Sequence, residues 1–287
     1  MAYIVLISLI ALYTLPSMSE ISKIIVFTDL DGSLLNHSDY SYAPARSALD
    51  RLWNNNIPVI PVTSKTLDEI CGYDDLFANV PKVAENGMVV DLPQGYFGAA
   101  EYLVPGHSYE EIRAEIDMFP THLRAHFNGF ADMGIDGVIA ATGLPLTRAM
   151  DAYNRKASEP FLWSGSDESL ETLKVRLAPK GYKITQGGRF YHLMSEGGKD
   201  RALSILVEKF QTASPDQRII SIALGDGPND ADMIGAATYG VKIPNDKGVV
   251  FVDIEHPQDT IINAPYAGPA GWNASIHSLL DELGLKR

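Results

Sequence analysis

The chain has 287 residues, 46% hydrophobic and 21% charged, an ordinary globular composition long enough for two domains. Its formal net charge of −13 repels nucleic acid and anionic membrane surfaces, so neither is an expected partner. The single cysteine, Cys71, excludes an internal disulfide and fits a reducing, cytoplasmic setting.

The first residues hold an apolar run from Tyr3 to Tyr13, too short for an ordinary membrane span and without a basic flank. Two readings stay open. One is an export signal or anchor. The other, which we expect, is a non-native extension of residues 1–17 ahead of a start at Met18, because a signal would crowd the first core strand. That strand is IIVF (24–27), an apolar run that leads into DLDGS (29–33). A helix is predicted over 43–55, with Pro44 in its first turn and Leu49 and Leu52 on one face. IPVIPV (57–62) is a second apolar run, ending at Thr63, Ser64 and Lys65. Helix signals follow at 66–78, then KVAENGMVVDL (82–92) reads as strand, Asn-Gly turn and strand.

From about 93 to 194 aromatics, glycines and prolines become frequent, and helical (110–119, 168–178) and extended (159–163, 189–194) segments mix. SGSDES (164–169) reads as a loop with a helix N-cap in preference to a sugar contact through Ser166 and Asp167. Core-like sequence resumes with a helix over 197–210 that turns Ala202, Leu203, Leu206 and Phe210 inward. A strand at 219–224, the GDGPND loop (225–230), a helix at 229–236 and a strand at 239–243 complete the series. This order predicts an α/β fold: a doubly wound parallel sheet, residues 18–92 and 195–287, interrupted by a second α/β domain at 93–194.

DLDGS and GDGPND both begin where a buried strand ends, the place where open α/β sheets bind ligands. Asp29, Asp31, Asp226 and Asp230 would crowd together there. So much like charge is costly unless a hard cation neutralises it, and carboxylate oxygen suits Mg²⁺. A lone DxDG also occurs in turns and calcium loops, and GDGPND alone could be a solvated loop. The two together are far more specific, in this order, with a Thr-ended strand and a Lys-headed helix between them.

From residue 24 to about 280 the chain resembles the haloacid dehalogenase (HAD) superfamily of phosphohydrolases. The resemblance implies Asp29 as a nucleophile that forms an aspartyl-phosphate, and Asp31 as acid and then base. It implies Thr63 as a phosphate donor, with Ser64 the alternative by one position, and Lys199 as a point charge on the phosphoryl group and Asp29. Mg²⁺ would be held by Asp29, the Asp31 carbonyl and Asp226, with Asp230 close by. Thr63 and Lys199 stand 136 positions apart, room for the cap of the IIB, or Cof-like, phosphatases. TSKT (63–66), AENG (84–87), SEPF (158–161), QGGRFYHL (186–193), GKD (198–200) and GPAGW (268–272) look like the mannosyl-3-phosphoglycerate phosphatase family.

That narrower likeness implies a small phosphorylated glycoside as substrate and a monomer or homodimer. Arg189 would fork onto a carboxylate or phosphate, and His192 would bond a hydroxyl or an anionic oxygen. For both, an ordinary polar position on a cap strand is the alternative. Lys65 is a second cation beside the phosphate. Gly187 and Gly188 would allow close backbone approach or a tight turn. Ser164 and Gly165 stand where relatives often carry a basic residue, which leaves the sugar open. The rivals are a broader sugar-phosphate phosphatase of the sucrose- or trehalose-phosphate type, a phosphomutase, and an inactive binding protein, the last opposed by the intact acidic set.

Overall fold

The structure, a computed structural model, describes residues 22–187, 189–244, 254 and 260–285. The expected extension at 1–17 and Gly188 lie outside them. In chain order the core begins with β1 (Ser22–Thr28), α1 (Arg46–Asn54), β2 (Val59–Pro61), α2 (Leu67–Cys71) and α3 (Asp74–Phe77). A hairpin extension follows: β3 (Lys82–Ala84), β4 (Val89–Leu92) and β5 (Glu101–Leu103). The inserted domain carries α4 (Tyr109–Asp117), α5 (Thr121–Arg124), β6 (Phe127–Gly129), α6 (Phe130–Thr142) and α7 (Leu146–Tyr153). It continues with β7 (Ser158–Trp163), α8 (Asp167–Leu177), β8 (Tyr182–Gly187) and β9 (Phe190–Ser195). The core closes with α9 (Lys199–Ala213), β10 (Arg218–Gly225), α10 (Ala231–Ala236), β11 (Tyr239–Lys242), β12 (Thr260–Asn263) and α11 (Gly268–Glu282).

The core sheet is wholly parallel in the order β12-β11-β10-β1-β2. Its strands read as continuous apolar runs because both faces are covered. Ile24 and Val26 pack with Leu49 and Leu52 of α1 and Trp272 and Ile276 of α11. Ile25 and Phe27, alternate residues of the same strand, pack with Leu206 and Phe210 of α9 and Met233 of α10. Each fully buried side chain of this size contributes about 1.5–3 kcal/mol of hydrophobic stabilisation. The chain winds outward from β1 in both directions, so the switch point, where ligands bind in such sheets, lies between β1 and β10. Trp272 of the GPAGW segment is fully buried beneath β1, and its indole N–H donates to Thr28 Oγ1 at 3.0 Å. That segment is a structural wedge.

The inserted domain is a four-stranded antiparallel sheet, β6-β7-β9-β8. Ile112 and Ile116 of α4 and Leu170, Leu173 and Leu177 of α8 cover one face, against Phe127, Phe161, Ile184 and Leu193. Ser166 caps α8 by accepting from the Ser169 N–H, the role its sequence context gave it. Residues expected in the cap from position 93 pack instead on the core. Tyr96 and Phe97 meet Phe210 edge-on at 5.8 and 4.8 Å, and β5 pairs with β4. We propose that the inserted domain starts after Val104. Among the described residues no helix is long and apolar enough to cross a membrane.

Candidate active site

The carboxyl ends of β1, β2 and β10 bring the expected core residues together. Asp29 follows β1 directly and is buried, its N–H donating to the Leu224 carbonyl of β10 at 2.9 Å. Gly32 turns the chain at φ 87°, and a Cβ there would stand 2.4 Å from Asp226 Oδ2. Only glycine meets both demands, the left-handed backbone and the close approach of the two acidic loops. Lys199, the first residue of α9, is fully buried and donates to Asp29 Oδ1 and Asp230 Oδ1, both at 2.6 Å. Asp230 Oδ2 in turn accepts from the N–H groups of Asp226 and Gly227 at 3.1 and 2.9 Å, which fixes the GDGPND loop. Ser33 Oγ donates to Asp226 Oδ1 at 3.4 Å.

The buried groups of this cluster shift one another's titration. Burial opposes the Lys199 ammonium, but the carboxylates of Asp230 and Asp29 outweigh it and push its pKa up, so it stays charged. Burial pushes the Asp29 carboxyl up; Lys199 pulls it back, and the nearby carboxylates of Asp230 and Asp226 push it up again. Single oxygens of Asp29, Asp226 and Asp230 lie within 4.8 Å of one another. Asp29 and Asp230 thus share one ammonium. The Asp31 carboxylate stands apart from this trio. Its Oδ2 accepts from Lys65 Nζ at 2.5 Å, and its Oδ1 is buried with no hydrogen-bond partner among the described residues.

Thr63 is buried just past the end of β2, its Oγ1 accepting from the Lys65 N–H at 3.2 Å. Ser64 offers its carbonyl to Arg155 Nη1 at 2.8 Å, a bond between core and cap. Burial lowers the Lys65 pKa, but Asp31 and Glu69 raise it further, so its charge is held against Asp31.

The cap residues fare differently. Tyr191 and Leu193 join the α4/α8 layer, so His192 projects from the opposite face of the sheet. It is buried, its Nδ1 has no partner among the described residues, and a Cβ on Gly187 would come 3.5 Å from its Nε2. Burial lowers its pKa to about 3, with the charges of Arg155 and Lys199 adding to the shift, so the ring is neutral. A neutral imidazole suits a hydroxyl better than an anion. Arg189 is exposed in the β8–β9 hairpin, where its Nη1 donates to the Ala141 carbonyl near the end of α6.

Three residues outside the expected set tie cap to core. Arg155 is buried and donates to the carbonyls of Ala152 (Nε, 2.9 Å) and Ser64 (Nη1, 2.8 Å). Thr66 Oγ1 donates to the Asp151 carbonyl at 2.8 Å. Glu85 accepts from the N–H groups of Lys156 and Ala157 at 2.7 and 3.1 Å and from Ser158 Oγ at 2.6 Å. The AENG segment was visible as a turn; nothing local shows that its glutamate clamps a strand seventy residues away.

Comparison with known proteins agrees with this geometry. No protein-family model matches the chain. It is 35% identical over 271 residues to a glucosyl-3-phosphoglycerate/mannosyl-3-phosphoglycerate phosphatase of Persephonella marina, covering 90% of this chain and 98% of that one. A protein of the same description from Methanococcoides burtonii is 32% identical over 274 residues, covering 90% and 97%. Among solved structures, a HAD-superfamily phosphatase from Bacteroides thetaiotaomicron superposes with TM-score 0.64 at 16% identity, over 96% of this chain and all of that one. A HAD subclass IIB sugar phosphatase superposes with TM-score 0.59 at 12% identity, over 92% and 100%. The chain therefore has the fold of these HAD phosphatases and belongs to the glucosyl-3-phosphoglycerate/mannosyl-3-phosphoglycerate phosphatase family.

Proposed function

We propose that the protein is a Mg²⁺-dependent, cytoplasmic phosphomonoesterase that hydrolyses mannosyl-3-phosphoglycerate, or its glucosyl analogue, to the glycosylglycerate and phosphate. The observation that carries the reading is the pairing of two unlike carboxylates at one strand end. Asp29 is buried against Lys199, while Asp31 keeps one buried oxygen without a partner among the described residues. Asp29 attacks phosphorus and the ester P–O bond breaks. The leaving alkoxide takes a proton from Asp31, leaving an aspartyl-phosphate on Asp29. Asp31 then removes a proton from water, whose oxygen attacks phosphorus; the acyl phosphate bond breaks, phosphate leaves and Asp29 is regenerated. Lys65 holds Asp31 in place, and Thr63 and Lys199 meet phosphoryl oxygens.

The acidic trio of Asp29, Asp226 and Asp230 fits a hard divalent cation, because three carboxylate oxygens converge within 4.8 Å of one another and carboxylate oxygen is the donor such a cation takes. Mg²⁺ supplies charge neutralisation for the phosphoryl oxygens when bound. His192, neutral on the cap's inner face, contacts a sugar hydroxyl. Arg189 reads the glycerate carboxylate by exchanging its bond to the Ala141 carbonyl for the substrate. The names of the two relatives support this substrate over sucrose or trehalose phosphates. A phosphate-release screen with Mg²⁺ tests it. Glycosyl-3-phosphoglycerates should give the highest kcat/KM; an equal or higher value for a disaccharide phosphate would overturn the assignment.

A further inference from the structure

We infer that Asn86 contacts the substrate: its carboxamide Nδ2 donates a hydrogen bond to a non-bridging oxygen of the phosphoryl group. The 85–87 turn between β3 and β4 is where the other motif loops meet. The Asn86 N–H donates to the Thr63 carbonyl at 2.8 Å, and its Oδ1 accepts from Asn229 Nδ2 at 3.2 Å, one residue from Asp230. A Cβ on the next residue, Gly87, would sit 2.2 Å from the Gly198 carbonyl, directly before Lys199. Asn86 therefore lies among the segments that carry Thr63, Lys199 and Asp230.

Within that junction its side chain is 2% exposed, and Nδ2 has no hydrogen-bond partner among the described residues. With Oδ1 taken by Asn229 Nδ2, the end of the amide left unpaired is the donor. A buried donor left unpaired is costly, and native structures rarely keep one without a use. The backbone points the same way. Glu85 and Asn86 are both left-handed, at φ 51° and 58°, and such strain concentrates at functional sites. Glu85 is held there by its bonds to the cap segment 156–158. The turn is thus fixed in a strained shape that directs the Asn86 amide among the catalytic loops. An amide also suits the chemistry. It offers a neutral donor to an anion without altering the charge balance that sets Asp29 and Lys199.

The inference rests on the reading that this site binds a phosphomonoester, and not on which sugar the ester carries. The test compares wild type with Asn86→Gly, which keeps the left-handed backbone, and Asn86→Asp, which keeps the shape and replaces the donor by an acceptor. Three quantities are measured: kcat/KM on p-nitrophenyl phosphate, kcat/KM on mannosyl-3-phosphoglycerate, and the inhibition constant of inorganic phosphate. Asn86→Gly should lose about tenfold or more on both substrates and weaken phosphate inhibition by a similar factor. Its thermal midpoint should stay within a few degrees of wild type. Asn86→Asp should lose more on all three, and its isosteric side chain serves as the test if the glycine variant does not fold. Unchanged phosphate inhibition in a folded variant overturns the inference. So does a loss confined to the glycosyl substrate, which would move the contact to the sugar or glycerate. If wild type cleaves the aryl phosphate but no glycosyl-phosphoglycerate, the substrate assignment fails, and the aryl phosphate and inorganic phosphate measurements still decide Asn86.

Discussion

Core and cap each bury a carboxylate network, and the two are built differently. In the cap, Glu159 is fully buried and met on all sides. Its Oε1 accepts from Ala131 N–H and Arg113 Nη1 at 3.0 and 3.1 Å, and its Oε2 from the Tyr109 hydroxyl at 2.6 Å. Asp132 beside it takes Arg113, Arg124 and the Gly129 N–H at 2.9, 2.7 and 2.9 Å. In the core, Asp29 and Asp230 share Lys199, with an Asp226 oxygen close by. Among the described residues four buried polar atoms lack hydrogen-bond partners: Ser275 Oγ in α11, and Asp31 Oδ1, Asn86 Nδ2 and His192 Nδ1, which belong to the DLDGS loop, the 85–87 turn and the cap face opposite the α4/α8 layer. A closed network fixes a fold; an open one keeps capacity for a ligand.

The largest effect that can break this comparison is removal of the shared cation. Lys199→Met leaves Asp29 and Asp230 buried without their counter-charge, and folding stability should fall by about 3–5 kcal/mol in denaturant titrations. Because the variant lacks that positive charge, Mg²⁺ should raise its thermal midpoint more than that of wild type. Equal shifts would mean the trio is not a cation site.

Next is the clamp between the regions. Glu85→Ala removes three hydrogen bonds to a buried carboxylate and should cost about 1.5–3 kcal/mol. A near-neutral result would show that the cap docks without it.

A similar loss of about 2 kcal/mol should come from pH alone. The His192 pKa is lowered in the folded chain to about 3, from an ordinary 6.5. Its contribution is whole above pH 6.5 and is lost as pH falls toward the folded value, at about 1.4 kcal/mol per pH unit. Between pH 6.5 and 5, wild type should lose roughly 2 kcal/mol more than His192→Gln. Parallel curves would place His192 in a solvated setting.

Arg189→Ala is the mildest change to the fold. The side chain is exposed, and stability should move by less than about 0.5 kcal/mol. If Arg189 reads the glycerate carboxylate, kcat/KM on glycosyl-phosphoglycerate should fall about tenfold, with an aryl phosphate unaffected. Equal losses on both would move its role to the cap fold.

The same contrast explains what was legible in the sequence. Asp29 and Asp226 are placed by local rules, since an apolar run ending in a turn brings the next residues to a strand end; Thr63 is open by one position, and Lys199 follows from the resemblance. The buried strands 24–28 and 219–224, and the helix headed by Lys199, follow from the same rules. Cap and interface residues obey no such rule. Whether His192 or Arg189 faces the site depends on how one sheet docks on another, and the order of residues does not state that angle. Arg155 and Glu85 act across the interface and carry no local sign of it. The stretch over 120–157, with its glycines and prolines, hid α6 and α7; in α6 the glycines at 134 and 137 obscure the helical period. GPAGW was recognisable as a motif, while its use, Trp272 buried under β1, is a tertiary fact.

The central claim is that Asp29, held by Lys199, carries the phosphoryl group. Rapid acid quench of the enzyme with ³²P-labelled mannosyl-3-phosphoglycerate tests it most directly. Wild type should yield an acid-stable, hydroxylamine-labile phosphoenzyme within the first turnover. The Asp29→Asn variant should yield none, with turnover below about a thousandth of wild type and an unchanged thermal midpoint. Phosphoenzyme formation or substantial turnover by that folded variant would contradict the account.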